Sequence, residues 1–151
     1  MGRWCIPQVV TYEEAEALIT ANPTTFTNTT TSSTHPTVDI LRQAVENVLG
    51  PCRWSRPSYM KVERNGTHDW HVDTGGTLGS DGHMPWCAFG CSLLLRAGPS
   101  VGSLEYRDGT NIVRPFDLAI HSSDVEHRVS PYTGERIVWL AFLQGDLKKE
   151  K

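Results

Sequence analysis

Apolar residues follow two rhythms along this chain. In the first third, Val38, Leu41, Val45 and Val48 recur at spacings of three and four, the period of one helical face. Gly50-Pro51 closes that run, so a helix is predicted over Val38 to Leu49. A shorter helix is predicted over Tyr12 to Ala21. It opens on "TYEE", where Thr11 can accept from the backbone near Glu14 while the Glu14 side chain reaches back, and Pro23 stops it. Ahead of it, "WCIPQVV" has strand character. Between the two helices, "NPTTFTNTTTSSTHPT" has no apolar period and reads as a loop that includes His35.

From Arg53 onward the period changes. Short runs, "SYMKVE", "CAFGCSLLLR", "GSLEY", "LAIHS" and "RIVWLAFL", alternate with Gly, Pro, Asn and Asp clusters, the pattern of a β-sandwich or barrel. Trp54, Trp139, Leu140 and Phe142 are expected in its core. In "HRVSPYTGERIVWLAFL", His127 opens one strand, Pro131 to Gly134 make a turn, and Arg136 begins the next. The N-terminal helices are expected to pack outside this β region.

At 151 residues the chain has the length of one ordinary domain. Residues 1–50 are read as helical support, 53–143 as the β core and 144–151 as a polar tail. With 14 basic and 17 acidic side chains the chain lacks the positive field that favours nucleic acid or an anionic membrane. No stretch approaches a membrane span, and "MGRWCIPQVV" lacks the apolar core of a secretory signal. A cytoplasmic protein with no membrane role is expected. Its four cysteines, Cys5, Cys52, Cys87 and Cys91, are then thiols, because Cys87 and Cys91 lie in a strand-like run that holds them too far apart to share a zinc ion.

The stretch "HDWHVDTGG" carries the first chemistry. His71 and Asp73 are two apart, so on an extended strand they face the same way and can reach one metal ion. Alone, a His-x-Asp pair is weak evidence. His127 adds a second imidazole in the β region, and two histidines with a carboxylate on one face of a metal form the facial arrangement typical of non-haem Fe(II) oxygenases. Arg136 alternates with apolar strand residues and is often aimed inward by such a pattern. A buried guanidinium without a carboxylate is costly, and the distal end of a chelating dicarboxylate would relieve it through two parallel hydrogen bonds. Pairing with Glu135 or Asp124 on the surface is the plainer alternative.

These residues resemble the Fe(II)/2-oxoglutarate-dependent oxygenases, in particular the prolyl-4-hydroxylase-like branch. The resemblance covers Tyr59 to Leu143 and rests on "HVD", "GSLEY" and "SSDVEHRVSPYTGER", with Arg136 nine residues after His127. It implies a mainly β fold with N-terminal helices around a double-stranded β-helix, the cupin-like jelly roll. It also implies His71, Asp73 and His127 as iron ligands and Arg136 as anchor of the distal carboxylate of 2-oxoglutarate. Tyr59 takes the place of a tyrosine that bonds this cosubstrate, at a longer spacing than usual. Two positions depart from the pattern: His68 stands where relatives carry a tyrosine, and His121 where an aromatic often precedes the distal histidine.

The implied activity uses Fe(II), 2-oxoglutarate and dioxygen, coupling oxidative decarboxylation to C–H hydroxylation. A protein or peptide side chain, prolyl first, is the expected substrate, with a nucleobase or a free small molecule as the alternative. A non-catalytic jelly-roll binding or metal-sensing module, and a zinc hydrolase, are the readings of another class; neither needs Arg136. "TGGTLGSDGHMPW", residues 74–86, is expected to act as a lid, with His83 inside it. Trp70, Tyr106 and Arg107 are candidates for a substrate groove. The sequence sets no oligomeric state.

Overall fold

The computed structural model describes residues 2–21, 29–31, 35–52, 54, 59–73, 87–97, 102–112 and 114–144, with the backbone alone at 29–31, 59 and 61–68. Among these residues, eight strands and two helices follow in the order β1 (Arg3–Ile6), α1 (Tyr12–Ala21), β2 (Thr29–Thr31), α2 (Pro36–Leu49), β3 (Tyr59–His71), β4 (Cys87–Ala97), β5 (Leu104–Tyr106), β6 (Asn111–Ile112), β7 (Leu118–Ser122) and β8 (His127–Gln144). The main path of the sheet runs β1-β7-β4-β8-β3-β2, with β5 joined to β8 and β6 to β5. Every one of these pairings is antiparallel. This curled sheet is a jelly roll.

Helix α1 begins where the sequence places it. Thr11 Oγ1 accepts from the Glu14 N–H at 3.0 Å, and Glu14 Oε1 accepts from the Thr11 N–H at 2.8 Å. Two backbone donors with no helical partner are thereby satisfied. Thr11→Ala is expected to cost about 1 kcal/mol, read as a lowered melting temperature with metal affinity unchanged. Helix α2 starts two residues earlier than predicted. Pro36 fits its first turn, and His35, expected in a loop, is the N-cap, its Nδ1 accepting from the Thr37 N–H at 3.0 Å.

The two sheet faces have different tasks. On the outer face, Leu93 and Leu95 of β4, Leu118 and Ile120 of β7, and Trp139, Ala141 and Leu143 of β8 form one core with Ala15 and Leu18 of α1 and Val38, Leu41 and Val45 of α2. Alternation then turns Gly90 of β4, His121 of β7, and Val138, Leu140 and Phe142 of β8 to the inner face. Trp139 is fully buried. Leu140, Phe142 and Trp54, also expected in the core, are only half-buried; the Trp54 indole donates to Glu46 at 2.9 Å.

Two readings of the chain need correction. The Thr-rich segment is not all loop, since Thr29–Thr31 pair with Tyr59 to Lys61 of β3. Nor does a turn separate His127 from Arg136: residues 127–144 form one strand, paired along β3 from His71↔His127 to Tyr59↔Leu140. The extra residues that suggested a turn are taken up as bulges. Between Arg64↔Glu135 and Gly66↔Tyr132 the ladder spends three residues of β8 on two of β3, and Gly134 there has φ 86°, a left-handed conformation that glycine adopts without strain. Bulges bend β8, so its second half lies beside β4 and its first three residues beside β5.

None of the four cysteines forms a disulfide, and Cys91 and Cys87 are buried in β4. Among the described residues, no helix is long and apolar enough to cross a membrane.

Candidate metal centre

The bent pair β3 and β8 brings the histidines together. His71 and His127 are cross-strand partners, their ring centroids 4.4 Å apart. Each imidazole is oriented by the same short device. Nδ1 of His71 lies 2.7 Å from the carbonyl of Asp69, and Nδ1 of His127 lies 2.8 Å from the carbonyl of Val125. A carbonyl only accepts, so each Nδ1 carries the proton and each Nε2 presents a lone pair.

Asp73 follows β3, and its N–H is fixed to the Ser123 carbonyl at 3.0 Å. Its carboxylate is 5% exposed, with Oδ1 3.3 Å from Nε2 of His127 and 4.0 Å from Nε2 of His71. The ligand atoms of His71, Asp73 and His127 all lie within 4.8 Å of one another. Three lone-pair donors turned on one another repel unless a cation or a proton sits among them. This donor set therefore fits a divalent first-row metal, with imidazole and carboxylate ligands that leave further positions open.

A third histidine joins the cluster. His121, 3% exposed, lies with Nε2 2.9 Å from Oδ2 of Asp73 and Nδ1 3.0 Å from the hydroxyl of Tyr106. Because a carboxylate can only accept, Nε2 of His121 is the donor. Burial pushes the His121 imidazole below its ordinary pKa, against the pull of Asp73, and burial pushes the Tyr106 phenol up. The phenol accordingly stays protonated and donates to Nδ1. Burial alone would raise the carboxyl of Asp73, but the hydrogen bond from His121, with the His127 imidazole beside it, outweighs burial and holds the group well below the usual carboxylate range. Gly90 makes room for all this: a Cβ there would lie 2.2 Å from Oδ2 of Asp73 and 3.0 Å from Nε2 of His121.

Arg136 is buried at 6% exposure. It shares a face with Val138, Leu140 and Phe142, the inner face that Gly90 and His121 also line, and its guanidinium lies 5.3 Å from the centre of the Tyr132 ring. It is therefore not at the exposed position that the surface pairing with Glu135 or Asp124 assumed. The backbone of Tyr59 lies in β3, but its side chain, like that of His68 and all of 74–86 with His83, falls outside the described residues.

The expected groove residues divide. Tyr106 is a buried partner of His121, at 3% exposure. Trp70 is approached by two guanidiniums, Arg107 at 3.9 Å and Arg128 at 5.1 Å from its ring centre, each paired to a carboxylate, Glu126 and Glu105.

Several solved structures share this architecture. A viral collagen prolyl hydroxylase from Paramecium bursaria Chlorella virus-1, solved as a complex with 2OG, superposes with a TM-score of 0.77 at 12% identity, over 96% of each chain. The fold is that of the 2-oxoglutarate oxygenases. HygX from Streptomyces hygroscopicus, solved with iron bound, gives 0.67 at 15% identity over 95% of this chain and 82% of that one. A prolyl hydroxylase from Trichoplax adhaerens, in complex with a hypoxia-inducible-factor peptide fragment, gives 0.60 at 9% identity over 99% and 86%. No family model and no curated protein matches the sequence.

Proposed function

We propose that this chain is a single-domain Fe(II)- and 2-oxoglutarate-dependent dioxygenase that hydroxylates a protein or peptide side chain, prolyl first. The observation that carries the reading is the convergence of Nε2 of His71, Nε2 of His127 and Oδ1 of Asp73, each fixed by hydrogen bonds outside the cluster. An Fe(II) ion held by these three would supply dioxygen activation, coupling conversion of 2-oxoglutarate to succinate and carbon dioxide with insertion of the other oxygen atom into a C–H bond.

The remaining work falls to the chain's own residues. Asp69 and Val125 carbonyls hold both rings in the ligating tautomer. Arg136, buried on the inner face, would pair the distal carboxylate of 2-oxoglutarate through two parallel N–H donors, with Tyr59 as a second contact. The peptide preference is supported by the fold shared with a collagen prolyl hydroxylase and with a prolyl hydroxylase bound to a peptide. A net charge of −3 makes a nucleic acid the weaker alternative. A cytoplasmic setting is part of the reading and is supported by four cysteines that form no disulfide.

The test is an anaerobic titration of Fe(II)-loaded protein with 2-oxoglutarate, followed by the visible charge-transfer band of the chelate. Arg136→Ala should bind Fe(II) as the wild type does yet need at least about 30-fold more 2-oxoglutarate, since truncating one partner of a buried charged pair costs roughly 2 kcal/mol or more. His127→Ala should give no band. Full development of the band in both variants sinks the reading. Peptide pools screened for the mass of one added oxygen, against nucleic-acid pools, then separate the substrate classes.

A further inference from the structure

His121 and Tyr106 stand outside the converging donor set of His71, Asp73 and His127, with the His121 ring centroid 4.1 Å from that of His127, yet both are buried and both hydrogen bonds of the His121 ring are spoken for. The chain of contacts runs outward in one direction. Nε2–H of His121 donates to Oδ2 of Asp73, and the Tyr106 hydroxyl donates to Nδ1 of His121. The Arg3 guanidinium covers the Tyr106 ring at 4.6 Å and is itself paired to Asp108. Opposite, the missing side chain of Gly90 leaves room for Oδ2, which lies 2.2 Å from where a Cβ would stand.

We propose that His121, braced by Tyr106, is a positioning residue that commits Oδ2 of Asp73 to a hydrogen bond and so makes Asp73 a one-oxygen ligand. The inference rests on the metal site proposed above. A carboxylate left free to turn can ligate through both oxygens, taking a position that a chelating dicarboxylate or dioxygen requires. With Oδ2 held by an N–H, only Oδ1 faces the two imidazoles, and the protein contributes three donor atoms. The donor role of Nε2–H is the same whether the ring is neutral or charged, so the effect does not depend on His121 titrating. A partner hydrogen-bonded to a ligating carboxylate typically changes metal affinity by about 10–100-fold.

Gln and Met have nearly the same length and shape, but only Gln keeps an N–H near the position of Nε2. Anaerobic Co(II) titrations of the wild type, His121→Gln and His121→Met should be followed by the visible bands of the bound ion, whose position and intensity report its coordination number. His121→Met is expected to bind Co(II) about 10–100-fold more weakly, with altered bands, and His121→Gln to restore both. Wild-type affinity and bands in His121→Met overturn the proposal even if its melting temperature falls, because His121 is then only packing. Should both variants fail to fold, Tyr106→Phe, which removes a single hydroxyl, is expected to move affinity and bands in the same direction, and no movement overturns the proposal equally. Asp73→Asn separates the two levels. If the wild type does not bind Co(II), or Asp73→Asn binds it as well, the metal site itself fails and this proposal with it; if those controls behave and His121→Met matches the wild type, the positioning role alone fails.

Discussion

Asp73→Asn protein is expected to fold like the wild type and to bind Fe(II) more than about 100-fold more weakly, beyond what the loss of an outer partner costs, with succinate formation at background. The substitution keeps size and shape, so its effect is chemical. The amide oxygen can take the place of Oδ2 and still accept from His121 at about the present 2.9 Å. That orientation puts the amide NH2 where Oδ1 now lies, 3.3 Å from Nε2 of His127. There it donates into the lone pair that a metal would use. The metal-free variant is thus at least as stable as the metal-free wild type, whose three acceptors repel, while the ion loses both a negative ligand and an imidazole. Thermal melting with and without Fe(II) reads this directly: the wild type should gain stability from the ion, and the variant should not. A comparable ion-dependent shift in Asp73→Asn would mean that the cation sits elsewhere.

That arrangement was partly legible in the chain. Residues two apart on a strand share a face, so His71 and Asp73 could be paired from sequence alone, and local chemistry such as the Thr11–Glu14 box located the start of α1. His127 was joined to them through the family resemblance and its position in the β region; the long ladder between β3 and β8 that actually opposes it to His71 was not foreseen, because bulges and a turn leave the same signature of Pro, Gly and polar residues. His121 was noticed only as a departure. Its signal was there to be used, since in "LAIHS" the residues Leu118 to His121 are buried without a break, and an imidazole in such a run must find partners. Which partners it finds depends on tertiary placement: Tyr106 lies 15 residues and Asp73 48 residues away in sequence. Gly90 was hidden for a related reason. A glycine inside an apolar strand can mark a bulge or a close approach, and only the fold says what approaches.

Gly90→Ala is the sharpest test of that close approach. Among the described residues its backbone is not one of those with positive φ, so alanine is conformationally acceptable and any effect is steric. The added methyl meets the Asp73 carboxylate at 2.2 Å and Nε2 of His121 at 3.0 Å, distances that require movement. On one side, Gly90 is held in register with His121 of β7, and on the other with Phe142 of β8. A central strand locked by two neighbours yields less readily than a side chain, so the carboxylate is what moves. Overpacking of this kind costs about 1–3 kcal/mol, a fall of roughly 2–4 °C in melting temperature for each kcal/mol at this size. The larger effect falls on the metal: Oδ1 leaves the two imidazoles, and affinity should fall about 100-fold, as for loss of an orienting partner. Gly102→Ala supplies the control. Its methyl would crowd Tyr132 at 2.9 Å and the Ser130 carbonyl at 3.0 Å, none of them in the donor set, so it should lower the melting temperature comparably and leave metal affinity intact. Equal losses of affinity in the two variants would trace the effect to general destabilisation; a loss confined to Gly90→Ala assigns it to the seat that this glycine leaves for Asp73.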